Sequence, residues 1–348
     1  MNNILCAPRM IFRIHPWRAD NSHMNSFPHA RALYPAIRVL FFLLVLAFPL
    51  GNLLHPSFTL AQSDGTGLQQ PISVTSELVA LPVNVADSNG NFIPGLSRKN
   101  FRVYEDNLPQ RIASFEQEDT PASISVVVDH SGSMETKLSN VITAISAFAR
   151  LSNPKDEISV VNFADTVSVE PMGGKLFTSD PAEIEKAIEA VSAEGRTALY
   201  DAVAAGILHL QRGHWQKRVL IIISDGGDNA SCYKYPQIVA LARQSQVTIY
   251  AVGLVDESGD EQNPKALERL SKETGGIAFF PNSPDAVVGS AVRIAGNLRQ
   301  RYMLGYVPEN RPAGESYRKI RVSVVAADKG TIRARTRPGY SVTPQPLR

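Results

Sequence analysis

The chain has 348 residues, 44% of them hydrophobic and 20% charged, with a formal net charge of +2. It is long enough for more than one folded unit with a core of its own. Five arginines and one acid, Asp20, fall within residues 1–61, so without that segment the charge becomes −2 and no basic stripe for nucleic acid remains.

Residues 1–61 read as a signal peptide or an N-terminal anchor. Arg31 and Arg38 precede the apolar run VLFFLLVLAFPLGNLL (39–54), which Pro49 and Gly51 interrupt, and Thr59 and Ala61 stand at signal-peptidase spacing. The run is short beside the roughly twenty apolar residues of a spanning helix, which favours cleavage near Gln62 over retention. Met24 is an alternative start. The protein is thus expected to be exported to the periplasm, the outer surface or the medium, and to touch a membrane only through this segment if it stays uncleaved. Loss of Cys6 with the leader predicts a mature chain with no internal disulfide.

Residues 62–71 form a polar linker. Residues 72–118 alternate in strand fashion around the turn SNGN (88–91) and again around Glu105–Pro109, which predicts a small antiparallel β unit. From 122 to 302 strands and helices alternate. ISVVVD (124–129) and KRVLIIISD (217–225) are continuous apolar runs, as in strands covered on both faces. Leu138, Val141, Ile142, Ile145, Phe148 and Ala149 share one helical face, and further helices fit 181–193, 199–212, 236–246, 264–276 and 285–302. The expected fold is α/β: a doubly wound, mainly parallel sheet with helices on both faces, flanked by antiparallel β segments. Residues 303–348 return to short strands, which are expected to pair with the 72–118 unit.

The strand ending VVVDHSGSM (126–134) raises the question of function. A catalytic serine, a metal site and a polar turn would each account for Asp129, Ser131 and Ser133. Ligands of doubly wound sheets bind beyond the carboxyl ends of the strands, where Asp129 and Asp225 both sit. The loop AEGRTALYD (193–201) adds Thr197 just before a helix. Two carboxylates and three hydroxyls are a hard oxygen set that suits Mg²⁺, with Mn²⁺ or Ca²⁺ as alternatives, and leaves the ion net positive charge and open positions.

DHSGS, Thr197 and the Asp225 strand end together resemble the metal-ion-dependent adhesion site of von Willebrand factor type A domains, whose strand–helix order residues 122–302 follow. The flanks resemble bacterial proteins related to that family that abound in acidobacteria. The resemblance implies a Rossmann-like type A domain in which Ser131 and Ser133 bind the metal directly. It implies that Thr197 joins in the ligand-bound arrangement and that Asp129 and Asp225 act largely through water or switch between direct and indirect contact. Glu135, Thr136 and Lys137 do not reproduce the acids of a second site, so one cation is expected.

An enzyme is not expected. After the leader, His130, His209 and His214 are the only histidines, and neither a G-x-S-x-G elbow nor a phosphate loop ending in Gly-Lys-Ser/Thr occurs. His130 is expected to be an exposed loop residue, and Asp201 and Asp228 to be solvated or to stand behind the ligands. The function that follows is a metal-dependent adhesion protein whose Mg²⁺ takes a carboxylate from a protein partner. The alternative is an envelope assembly factor in which the metal holds loops together.

Overall fold

A sheet buried on both faces needs strands that are apolar throughout, and the chain supplies them in sequence. The computed structural model describes residues 10–11, 78–87, 92–256, 262–309, 316–326 and 332–342. The rest of the leader, the linker and the SNGN turn lie outside the described residues. The described part begins with β1 (Met10–Ile11), β2 (Val79–Ala86), β3 (Phe101–Glu105), β4 (Leu108–Gln110) and β5 (Ile112–Glu118). There follow β6 (Ala122–Asp129), α1 (Leu138–Leu151), β7 (Glu157–Phe163), β8 (Val167–Glu170), α2 (Pro181–Glu189) and α3 (Leu199–Leu210). Next come β9 (Lys217–Ser224), α4 (Tyr235–Ser245), β10 (Thr248–Gly253), α5 (Pro264–Glu273), β11 (Ala278–Phe279) and α6 (Pro284–Arg299). The last strands are β12 (Arg301–Tyr306), β13 (Ser316–Val324), β14 (Arg333–Arg335) and β15 (Gly339–Val342).

The central sheet has the order β1-β8-β7-β6-β9-β10-β11. Its pairings are parallel except that between β7 and β8. Residues of β6 alternate between two cores. Ile124, Val126 and Val128 pack with α1, α2 and α6, while Val127 packs with α3, α4 and α5. This is the doubly wound α/β fold.

The sequence reading passed over β8. The turn in which Ala164 N–H donates to Thr166 C=O returns the chain beside β7. β1 lies in the segment read as leader and adds to the open edge of β8, where unpaired backbone groups accept an extended segment. Cys232 is disulfide-bonded. The chain's other cysteine is Cys6. The expectation of no internal disulfide applied to the chain without residues 1–61. Among the described residues no helix is long and apolar enough to cross a membrane.

Helix α3 is buried almost all round, as a helix under a sheet must be when other helices cover it. Gly206 allows that approach: a Cβ there would stand 2.5 Å from Leu220 Cδ1 and 3.0 Å from Val127 Cγ2. The N-terminus of α3 is thereby drawn down beside the ends of β6 and β9.

The flanking strands interleave. β2 and β5 sandwich β12, with β14 outside β2, and β13 lies between β3 and β15. Two four-stranded antiparallel sheets built from both ends of the domain thus share one core, which includes Leu81, Val83, Phe101, Tyr302 and Leu304. The helix expected to reach 302 stops at Arg299, because residues from 301 onward hydrogen-bond to β2 and β5 instead. Buried Glu105 accepts hydrogen bonds from the hydroxyls of Tyr306 and Tyr340, with Arg318 3.6 Å away, so one carboxylate joins β3 to three other strands.

Tyr302 holds the centre of this module. Its ring packs against Phe92, Phe101 and Phe115, and its hydroxyl donates to Ile93 C=O (2.8 Å) and accepts from Leu96 N–H (3.0 Å). Tyr302→Phe keeps the packing and strands both backbone groups. It is expected to cost about 1–3 kcal/mol, read from the urea midpoint of unfolding.

Candidate metal centre

The carboxyl end of β6 carries the first ligand candidate, and the sheet fixes its surroundings. Val128 pairs with Ile223, so the next residues, Asp129 and Ser224, stand side by side on neighbouring strands. Asp129 is 0% exposed. Its Oδ1 accepts from Ser131 N–H (2.8 Å) and its Oδ2 from Ser224 Oγ (2.6 Å). Burial pushes the Asp129 carboxyl above the usual range. The hydrogen bonds from Ser131 and Ser224 oppose that rise, and the charge of Asp225 adds to it.

Beyond Asp129 the chain turns through Gly132–Met134, pinned by the buried Met134 side chain. Ser133 Oγ donates to Asp225 Oδ2 at 2.7 Å, and Ser131 Oγ lies 3.2 Å from Ser133 Oγ. Ser133 gives its one proton to Asp225, which leaves its oxygen free to accept from Ser131. Asp225 Oδ1 accepts from Gly227 N–H at 3.0 Å. Ser131 and Asp225 are buried, whereas Ser133 opens to solvent.

Thr197 reaches this place on a separate loop. Gly132 N–H donates to Gly195 C=O (3.3 Å) and Glu194 N–H to His130 C=O (2.8 Å), which lays the Thr197 loop against the serine turn. From the other side, Thr197 N–H donates to Asn229 Oδ1 (2.9 Å), and Thr197 C=O accepts from the N–H groups of Asn229 and Ala230. Asp228 Oδ1 accepts from Tyr200 N–H, at the open start of α3. Asp201 returns the favour by accepting from the N–H groups of Cys232 and Tyr233.

Asp129, Ser131, Ser133 and Asp225 therefore form one connected set of oxygens, with Thr197 clasped beside them through its backbone. The donor set fits a small hard cation. An octahedral oxygen shell at 2.0–2.1 Å places adjacent ligands about 2.9 Å apart. The spacings along Asp225–Ser133–Ser131, 2.7 and 3.2 Å, bracket that figure. Among the described residues no group of three or more His, Cys, Asp or Glu gathers as a metal site.

His130 corrects its expectation: it is fully buried, not exposed. Its Nε2 meets Asn162 Oδ1 at 3.0 Å, and Nδ1 makes no well-formed hydrogen bond. Burial lowers its pKa, against the opposing contact with Asn162. Asp129 pairs with Phe163 of β7 and His130 N–H donates to Phe163 C=O, which carries His130 in beside Asn162. Sequence reasoning missed Ser224, Asn229 and the backbone-binding role of Asp201 and Asp228. Ser224 adjoins Asp225 in the chain, but only strand register shows that it faces Asp129.

Residues 123–291 match the family model of the von Willebrand factor type A domain. With the fold described above, this part of the chain is a type A domain. An uncharacterized protein of Synechocystis sp. is 28% identical over 175 residues, which make up 48% of this chain and 39% of the relative. The match thus spans less than half the length of that curated relative. A solved von Willebrand factor type A structure from Catenulispora acidiphila aligns over 78% of this chain and 75% of its own, at 13% identity and a TM-score of 0.47. The corresponding domain of the type V pilus tip protein Mfa5 from Porphyromonas gingivalis aligns over 52% of this chain and 96% of its own, at 12% identity and a TM-score of 0.43.

Ser224→Ala leaves Asp129 Oδ2 and Gly226 N–H, both bonded to the lost hydroxyl, without that partner. The variant is expected to unfold about 1–3 kcal/mol more easily in urea. An unchanged midpoint would mean that Asp129 does not need this hydroxyl.

Proposed function

We propose that Ser131, Ser133, Thr197, Asp129 and Asp225 hold one divalent cation, Mg²⁺ first among them, and that the ion binds a carboxylate of a protein partner. The observation that carries this reading is the run of oxygens from Asp225 through Ser133 to Ser131, spaced as neighbours in a metal shell and open to solvent at Ser133. Both oxygens of Asp129 are already engaged by Ser131 and Ser224, which suits contact through water. Three hydroxyls, one direct carboxylate and one carboxylate acting through water leave open positions on a divalent ion. A carboxylate from outside would complete it.

Binding without turnover is the activity proposed. His130, the histidine adjoining the serines, points away into a buried contact with Asn162. The alternative, a metal that merely holds loops together, is less favoured, because direct hydrogen bonds already join the three loops.

Replacing both Ser131 and Ser133 by alanine is expected to abolish the calorimetric Mg²⁺ signal while circular dichroism stays unchanged. Wild-type affinity in that variant would overturn the assignment. EDTA is expected to release the partner in a pull-down from envelope extract. Release of nothing, with a falling melting temperature, would instead favour the structural metal.

We propose export as well, on the strength of the basic, apolar and small-residue order of residues 31–61. Intact-mass measurement of the exported protein is expected to place its N-terminus near Gln62. Retention of residues 39–54 in the membrane fraction would favour the anchor.

A further inference from the structure

At the amino ends of β9 and β10, opposite the candidate metal centre, the domain and the β module flank a half-open pocket of about 490 Å³. Eight residues of β9, at about 3.3 Å each, separate the two ends by roughly 26 Å. The volume is within the range of small-molecule sites, about 300–1,000 Å³. Lys217, Arg218, Arg243, Arg301 and Arg337 line it, with Glu273 as the one carboxylate among the described lining residues. That carboxylate is already held by Arg243 at 2.7 Å.

Arg337 shows what the arrangement lacks. Its Nη2 donates to Ala80 C=O at 3.0 Å, while its Nε, buried, meets no partner. Burial pulls the guanidinium below its usual range, and the groups that oppose this are Tyr306, Tyr340 and Tyr317, none of them a carboxylate. Arg218 Nε is likewise buried without a partner. A cation withdrawn from water without a counter-charge is costly, and a bound anion removes that cost. Guanidinium forks are matched to carboxylate and phosphate oxygens. Trp215, Met303 and Pro82 give the same cavity an apolar wall.

We propose that this cavity binds a small organic anion, a carboxylate or phosphate monoester carrying an apolar group. Arg337 and Arg218 grip the anionic end, and Trp215 and Met303 cover the apolar body. The site is independent of the metal centre and of any partner bound there.

Phenyl phosphate and benzoate are suitable probes, with inorganic phosphate and benzyl alcohol as controls that each carry half of the recognised chemistry. On the full chain, Trp215 fluorescence is expected to change saturably with phenyl phosphate or benzoate. It should change more weakly with inorganic phosphate and not at all with benzyl alcohol. Trp215→Phe should remove the signal, which separates it from Trp17. Arg337→Gln is expected to weaken binding on the order of tenfold or more. Arg218→Gln gives the same reading if the first variant does not fold. The Ser131→Ala/Ser133→Ala variant should bind the probes as the wild type does. No saturable signal from either anionic probe, or wild-type binding in folded Arg337→Gln and Arg218→Gln, would overturn the proposal.

Discussion

The structure depends on one constraint: a parallel sheet covered by helices on both faces has no water along its length. Ile124, Val126 and Val128 are sealed under one helical layer and Val127 under the other. Polar chemistry is thus displaced to the strand ends, where the backbone turns away and side chains can meet solvent. Asp129 occupies such an end. Its burial is tolerable because a backbone N–H and a hydroxyl engage its two oxygens. The same bonds fix the direction in which the serine turn leaves the strand.

From that turn the site is assembled by loops that hold one another. The serine turn touches the Thr197 loop through backbone bonds, and the Thr197 loop is clasped by residues 228–233. Helix α3 contributes from beneath: Gly206 lets it sit close to the sheet, which sets the height of its first turn, and Asp228 satisfies one of the open N–H groups there. These contacts need no ion. A site held in shape by peptide groups keeps its oxygens placed before a ligand arrives, and preorganisation of that kind spares binding the cost of ordering the loops.

The β module gives the other end of the sheet its character. Its two sheets draw strands from before and after the domain, and Glu105 and Tyr302 tie those pieces together at the core. Joining the module to the amino ends of β9 and β10 forms the cationic pocket, whose arginines come from the domain (Arg218, Arg243) and the module (Arg301, Arg337) alike. The two ends of the same strands thus differ in sign: carboxylates suited to a cation at one, guanidinium groups suited to an anion at the other.

Much of this was legible in the sequence because it is written in local patterns. Apolar runs such as ISVVVD need burial on both faces, the helical stripe at 138–149 needs a sheet beneath it, and alternation of the two dictates a doubly wound fold. Asp129, Ser131 and Ser133 were legible for the same reason, being adjacent residues at a strand end. Register was not legible, since an apolar strand can pair at several offsets with little change in pattern. Only the pairing of Val128 with Ile223 shows that Ser224 faces Asp129, and only the pairing of β6 with β7 brings His130 in to Asn162. Nor could the sequence place Arg218 and Arg337, 119 positions apart, on one cavity. Charges so distant in the chain meet only when two cores pack, and that is a decision of the tertiary structure.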